Sequence, residues 1–103
     1  MVAYTSARLD QTFEALSDEQ RRRLLHYLSE SSDGTATVEE LTELLGGDPL
    51  QTELRLRHVH IPYLRDTTII DYDDRTETIR YHGNPLVERV LDNCLEECSP
   101  CIR

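Results

Sequence analysis

Three cysteines fall within the last ten residues of the 103-residue chain, as Cys94-x3-Cys98-x2-Cys101. Thiolates at i, i+4 and i+7 can converge on one side of a helix. Three soft ligands suit zinc, an iron–sulfur cluster or a redox switch. A tetrahedral site needs a fourth ligand, for which His82, His26 or a thiolate of a second copy qualifies. The plainer alternative is that Cys94 is simple core on an apolar stripe, with Cys98 and Cys101 in a tail beside Ser99-Pro100. An odd number of cysteines gathered at one end is not the disulfide framework of a secreted domain.

The second constellation is arginine-based. The chain carries eleven basic and 20 acidic residues, net charge −9, and every basic residue is arginine. Between Leu50 and Arg65, however, Arg55, Arg57 and Arg65 oppose only Glu53. Arg55 has the fork geometry that pairs with guanine, while Gln51 and Thr52 can reach bases or phosphate near the start of the same helix. Arg57 and Arg75 are candidate phosphate contacts. Leu56, Val59 and Tyr63 share the expected outward face, and this apolar trio suits a protein partner equally well. No Gly-rich phosphate loop, G-x-S-x-G or H-E-x-x-H is present, so the chain reads as non-enzymatic, with no evident small-molecule substrate.

Helical and strand periodicities supply the elements that must position these groups. Leu9, Phe13 and Leu16 mark one face of a first helix. Ser17 with Gln20 predicts a capping box for the second, whose buried stripe is Leu24, Leu25 and Leu28. Ala36–Val38 reads as a minimal strand. Thr37 and Glu40 form another capping box, opening a helix that buries Leu41, Leu44 and Leu45 and stops at Gly46-Gly47. Asp48 and Pro49 start a helix over 48–61, with Leu50, Leu54, Ile61 and Arg65 on the buried face. Pro62 predicts a kink or break near His60–Pro62, because a proline inside a regular helix costs about 3 kcal/mol. Ile69–Tyr72 and Thr78–His82 read as a β-hairpin. Asn84-Pro85 opens a last helix over 84–96. Its apolar residues cover more than one face: Leu86 and Val90 on one side, Val87, Leu91, Cys94 and Leu95 on the other. Such a helix is expected to serve both its own core and a homodimer interface built from Leu86, Val87, Val90, Leu91 and Leu95.

The fold class is therefore an α-dominated α+β domain: a winged helix-turn-helix with a two-stranded wing and a C-terminal dimerisation helix. It spans 1–96, with a cysteine-containing tail over 97–103. Met1–Leu9 has neither the pattern of a signal peptide nor an amphipathic one, and no apolar run approaches the roughly eighteen residues of a membrane span. A cytoplasmic protein without membrane contact is expected.

The run Ala15-Leu16-Ser17-Asp18-Glu19-Gln20-Arg21-Arg22-Arg23-Leu24-Leu25 resembles the "aLsdptRrrILrlL" opening of ArsR-like winged-helix regulators. His60-Ile61-Pro62-Tyr63-Leu64-Arg65 resembles their "HLkvLr" segment, and Ile69-Ile70 the "GLV" that begins the wing. Small haloarchaeal members carry "HVHLPkL" and "vIDYD", similar to His58–Leu64 and Ile69–Asp73 here. The acid excess and absence of lysine resemble proteins of salt-loving archaea. The resemblance implies a transcription regulator binding double-stranded DNA through helix 48–61, with hairpin 69–82 as wing and His60 as a packed structural residue. One departure stands out: Thr68 occupies the usual glycine position before the wing strand, where a positive φ is not easily adopted.

Overall fold

The computed structural model describes residues 6–92. Helices α1 (Ser6–Ala15) and α2 (Glu19–Glu30) are joined by a tight turn. Asp18, not Ser17, caps α2: its Oδ1 accepts from the Gln20 and Arg21 amides at 2.8 and 3.3 Å. Ser17 instead donates its hydroxyl to the Glu14 carbonyl at 2.7 Å, closing the end of α1. Phe13, expected inside, is 52% exposed, while Leu16 is buried.

Strand β1 (Thr35–Thr37) leads directly into α3 (Val38–Leu45). The expected capping box is formed: Thr37 N donates to Glu40 Oε1 at 2.8 Å, and Glu40 N donates to Thr37 Oγ1 at 3.1 Å. Gly46 and Gly47, with φ of 74° and 75°, take the left-handed conformation that ends α3. Asp48 accepts from the Leu50 amide at 3.1 Å and starts α4 (Pro49–Arg55). The rod then continues without a break through a π-turn over Leu56–His60 into α5 (Ile61–Asp66).

Strands β2 (Ile70–Asp73) and β3 (Thr78–Tyr81) form a hairpin, and β1 adds to its other side. The sheet therefore has three antiparallel strands in the order β1-β3-β2, the minimal strand expected at Ala36–Val38 lying one residue earlier and joining the hairpin. Ile79 at its centre pairs with Ala36 on one side and Tyr72 on the other. Thr68 does adopt φ 61°, so the conformation normally given to glycine is reached by a threonine. A last helix, α6, runs from 85 to 92, where the described residues end. Asn84 caps it, its Oδ1 accepting from Leu86 and Val87 at 2.9 and 3.1 Å. No helix among the described residues is long and apolar enough to cross a membrane.

The core lies between α2, α3, the long rod and the inner face of the sheet. Leu24, Leu25 and Leu28 meet Val38 and Leu41 there, with Leu56, Leu64, Ile70 and Ile79 closing it from the far side. Val87 and Leu91 bring α6 onto the same core. Three consecutive arginines staple the helices around it. Arg21 donates to the Glu14 and Ala15 carbonyls, Arg22 to Leu16, and Arg23 to Leu44 and Leu45. Each guanidinium meets carbonyls at the C-terminal end of α1 or α3, its negative pole.

Candidate nucleic-acid interface

The rod over residues 49–66 carries Gln51, Thr52, Arg55 and Arg57, four of the five expected DNA-contact residues. Its phase differs from the sequence expectation. Leu50 and Leu54, expected inside, are 66% and 45% exposed. Thr52 and Leu56, expected outside, are buried, Leu56 completely. The physical reason is the π-turn. Ile61 donates its amide to Leu56 O, five residues back, so one extra residue is accommodated in that turn. Pro62 then falls in the first turn of α5, where its missing amide interrupts nothing. The irregularity expected at Pro62 is thus a wide turn ahead of it, not a break. Ile61 joins Leu56 on the core side, and Val59, 46% exposed, follows Leu50 and Leu54 outside in steps of four and five.

This correction redistributes the candidate residues. Gln51 and Arg55 are exposed on the outward face, where His58, passed over by sequence reasoning, joins them. Thr52 does not: its hydroxyl donates to Gly46 O at 2.8 Å and fastens the α3–α4 turn. Leu56 is core and offers no contact surface. Tyr63 is half-buried, with the Arg21 guanidinium 4.7 Å from its ring centroid. Of the apolar trio Leu56, Val59 and Tyr63, only Val59 is exposed, and its neighbours on the surface are Leu50 and Leu54.

Arg57 is held between two carboxylates. It donates to Glu53 Oε2 and Glu77 Oε2, both at 2.9 Å, which ties the rod to the hairpin. The bonds from Arg57 pull the Glu77 carboxyl below its ordinary pKa, while those to Glu77 and Glu53 hold Arg57 firmly protonated. Glu77 itself sits at φ 55° at the end of the hairpin turn. Arg75 is exposed in that turn, its amide bonded to Asp73 Oδ1 at 3.0 Å. Arg55 and Arg75 form no ion pair among the described residues. No Asp or Glu occurs between Glu53 and Asp66, the longest carboxylate-free interval in the chain.

Behind this face, His60 has no exposed surface. Its Nε2 lies 2.9 Å from Gln20 Oε1 and its Nδ1 3.4 Å from Arg21 Nη1. Gln20 Oε1 only accepts and Arg21 only donates, so the imidazole is neutral with its proton on Nε2. Burial depresses its pKa, Asp18 partly opposes this, and Arg21 and Arg55 add to it. His60 thus anchors the π-turn to the α1–α2 corner.

Of the residues expected at a dimer interface, Val87 and Leu91 are buried within their own domain, while Leu86 and Val90 are half-buried on α6. Leu95 and the three cysteines, Cys94, Cys98 and Cys101, lie outside the described residues. The two histidines offered as a fourth ligand stand apart, His26 beside Glu30 at 3.5 Å and His82 beside Asp71 at 3.3 Å. Among the described residues no group of three His, Cys, Asp or Glu could hold a metal ion. No family model, curated protein or solved structure matches the chain.

Proposed function

We propose that the chain is a DNA-binding winged helix-turn-helix regulator, with α3 and α4 as the two helices of the motif and β2–β3 as the wing. The observation that carries this reading is the outward face of the 49–66 rod. On a chain of net charge −9, its exposed surface carries arginine and no carboxylate between Glu53, which is bonded to Arg57, and Asp66 at the end of the rod. Arg55 and Gln51 would contact base edges, and Arg75 a phosphate beside the groove. Arg57 would act indirectly, by setting the angle between helix and wing. A homodimer joined through the half-buried side of α6, Leu86 and Val90, would present two such helices to a palindromic site. The acid excess without lysine supports a cytoplasm rich in salt, and the likeness to ArsR-like sequences points the same way. The cysteines would add a redox or metal response at the C-terminal end.

The test is retention of genomic DNA fragments by the purified chain in concentrated potassium chloride, with and without reductant. Selective retention that Arg55→Ala abolishes supports the reading. A second reading is favoured by the exposed aliphatic residues Leu50, Leu54 and Val59, which suit a protein partner. Absence of retention in every condition would favour it.

A further inference from the structure

We propose that the Leu50–Leu54–Val59 ridge reads thymine methyl groups in the major groove, so that the binding site is specified by C5-methyls as well as by hydrogen bonds. The inference rests on the DNA-binding reading and deepens it. All three side chains are exposed and aliphatic, at 66%, 45% and 46%. They have no donor or acceptor, so they gain by association only when they meet apolar surface. In the major groove the apolar group a base pair displays is the thymine C5-methyl.

The spacing fits repeated contacts. Steps of four and five residues of helix advance about 6 and 7.5 Å, against about 3.4 Å per base-pair step, so successive ridge residues fall near alternate base pairs. The surroundings fit a polyanion better than an acidic protein surface such as this chain's own. Gln51, Arg55 and His58 border the ridge; Asp48 caps the start of the helix through the Leu50 amide, Glu53 is bonded to Arg57, and no further carboxylate follows before Asp66. Methyl contacts also persist in concentrated salt, where the attraction of exposed arginines to phosphate is screened over about 3 Å.

Selection of tight-binding duplexes from a random-sequence library, followed by replacement of every thymine with deoxyuridine, tests this directly. Uracil keeps the hydrogen-bonding edge and lacks only the methyl. The selected duplexes should carry thymines at alternate positions. Binding should weaken about fourfold per methyl engaged, a few tens of times for three. The variant Leu54→Gln/Val59→Gln, its fold checked by circular dichroism, should narrow the difference between the two duplexes to about fourfold, that of the one methyl left to Leu50. Equal binding of both duplexes by the unaltered chain, with Arg55→Ala weakening both, overturns the methyl readout and leaves the DNA-binding reading intact. Failure to enrich any duplex overturns both. Self-association that Leu54→Gln dissolves would then assign the ridge to a protein contact.

Discussion

His60 fills its buried site only as the neutral imidazole. A second proton on Nδ1 would face the Arg21 guanidinium at 3.4 Å, and burial already lowers the pKa below the ordinary 6.5. The unfolded chain therefore takes up a proton that the folded chain refuses. Stability should be level above about pH 6.5 and fall as pH drops below it, by up to about 1.4 kcal/mol per unit, until the folded imidazole itself protonates. Denaturant unfolding at a series of pH values measures this slope, and His60→Gln should remove most of it. Arg21 and Arg23 carry a related lesson. A run of three arginines suggests a basic patch, yet here each one closes a helix end. Their targets, Glu14 to Leu16 and Leu44–Leu45, are carbonyls brought near only by the tertiary fold.

At the level of elements, the rod separates packing from presentation. Leu56→Ala should cost about 2–5 kcal/mol, since that side chain is completely buried. Leu54→Ala, two residues away and 45% exposed, should change stability by no more than about 0.5 kcal/mol. Thermal or denaturant unfolding of the pair distinguishes the observed phase from its inverse. Arg57→Ala should leave global stability nearly unchanged, because both its partners are largely solvated. Amide exchange in the hairpin turn should nevertheless quicken as the tie to Glu77 is lost. The element boundaries were mostly legible, because local chemistry sets them: the Thr37–Glu40 box, Gly46-Gly47 and Asp48-Pro49 all act as read. The phase of the rod was not. A strict 100° step placed Ile61 with Leu54, whereas the π-turn accommodating Pro62 places it with Leu56. The α2 cap escaped for a different reason: Ser17 and Asp18 are both good caps, and the choice lies in Ser17 turning back to Glu14. Of the residues proposed for the candidate site, Gln51, Arg55 and Arg75, read from residue type and position, are exposed as that reading requires. Leu50, Leu54 and His58 were missed with the phase.

For the molecule as a whole, the acid excess sets the response to salt. With a net charge of −9 on 103 residues, self-repulsion opposes the compact state, and added potassium chloride screens it. The melting temperature should rise with salt concentration, most steeply at the low end. With Arg75 as the cation meeting phosphate, log affinity for DNA should fall with log salt with a slope of only about −1 per protomer. Titration of a selected duplex across salt concentrations checks this. The π-turn has one more consequence at this scale. It inserts a single residue between Thr52 and Leu56, which face the core from one half of the rod, and Ile61 and Leu64, which face it from the other. Deletion of one codon within 57–59 would restore an ordinary helix and rotate α4 by about 100° relative to α5. The core could then keep Leu56 or Leu64 in place, not both, so the shortened chain should be destabilised by as much as a core truncation, about 2–5 kcal/mol. The direction in which the Leu50–Leu54–Val59 ridge points is thus set by the number of residues in the rod as well as by which side chains line it.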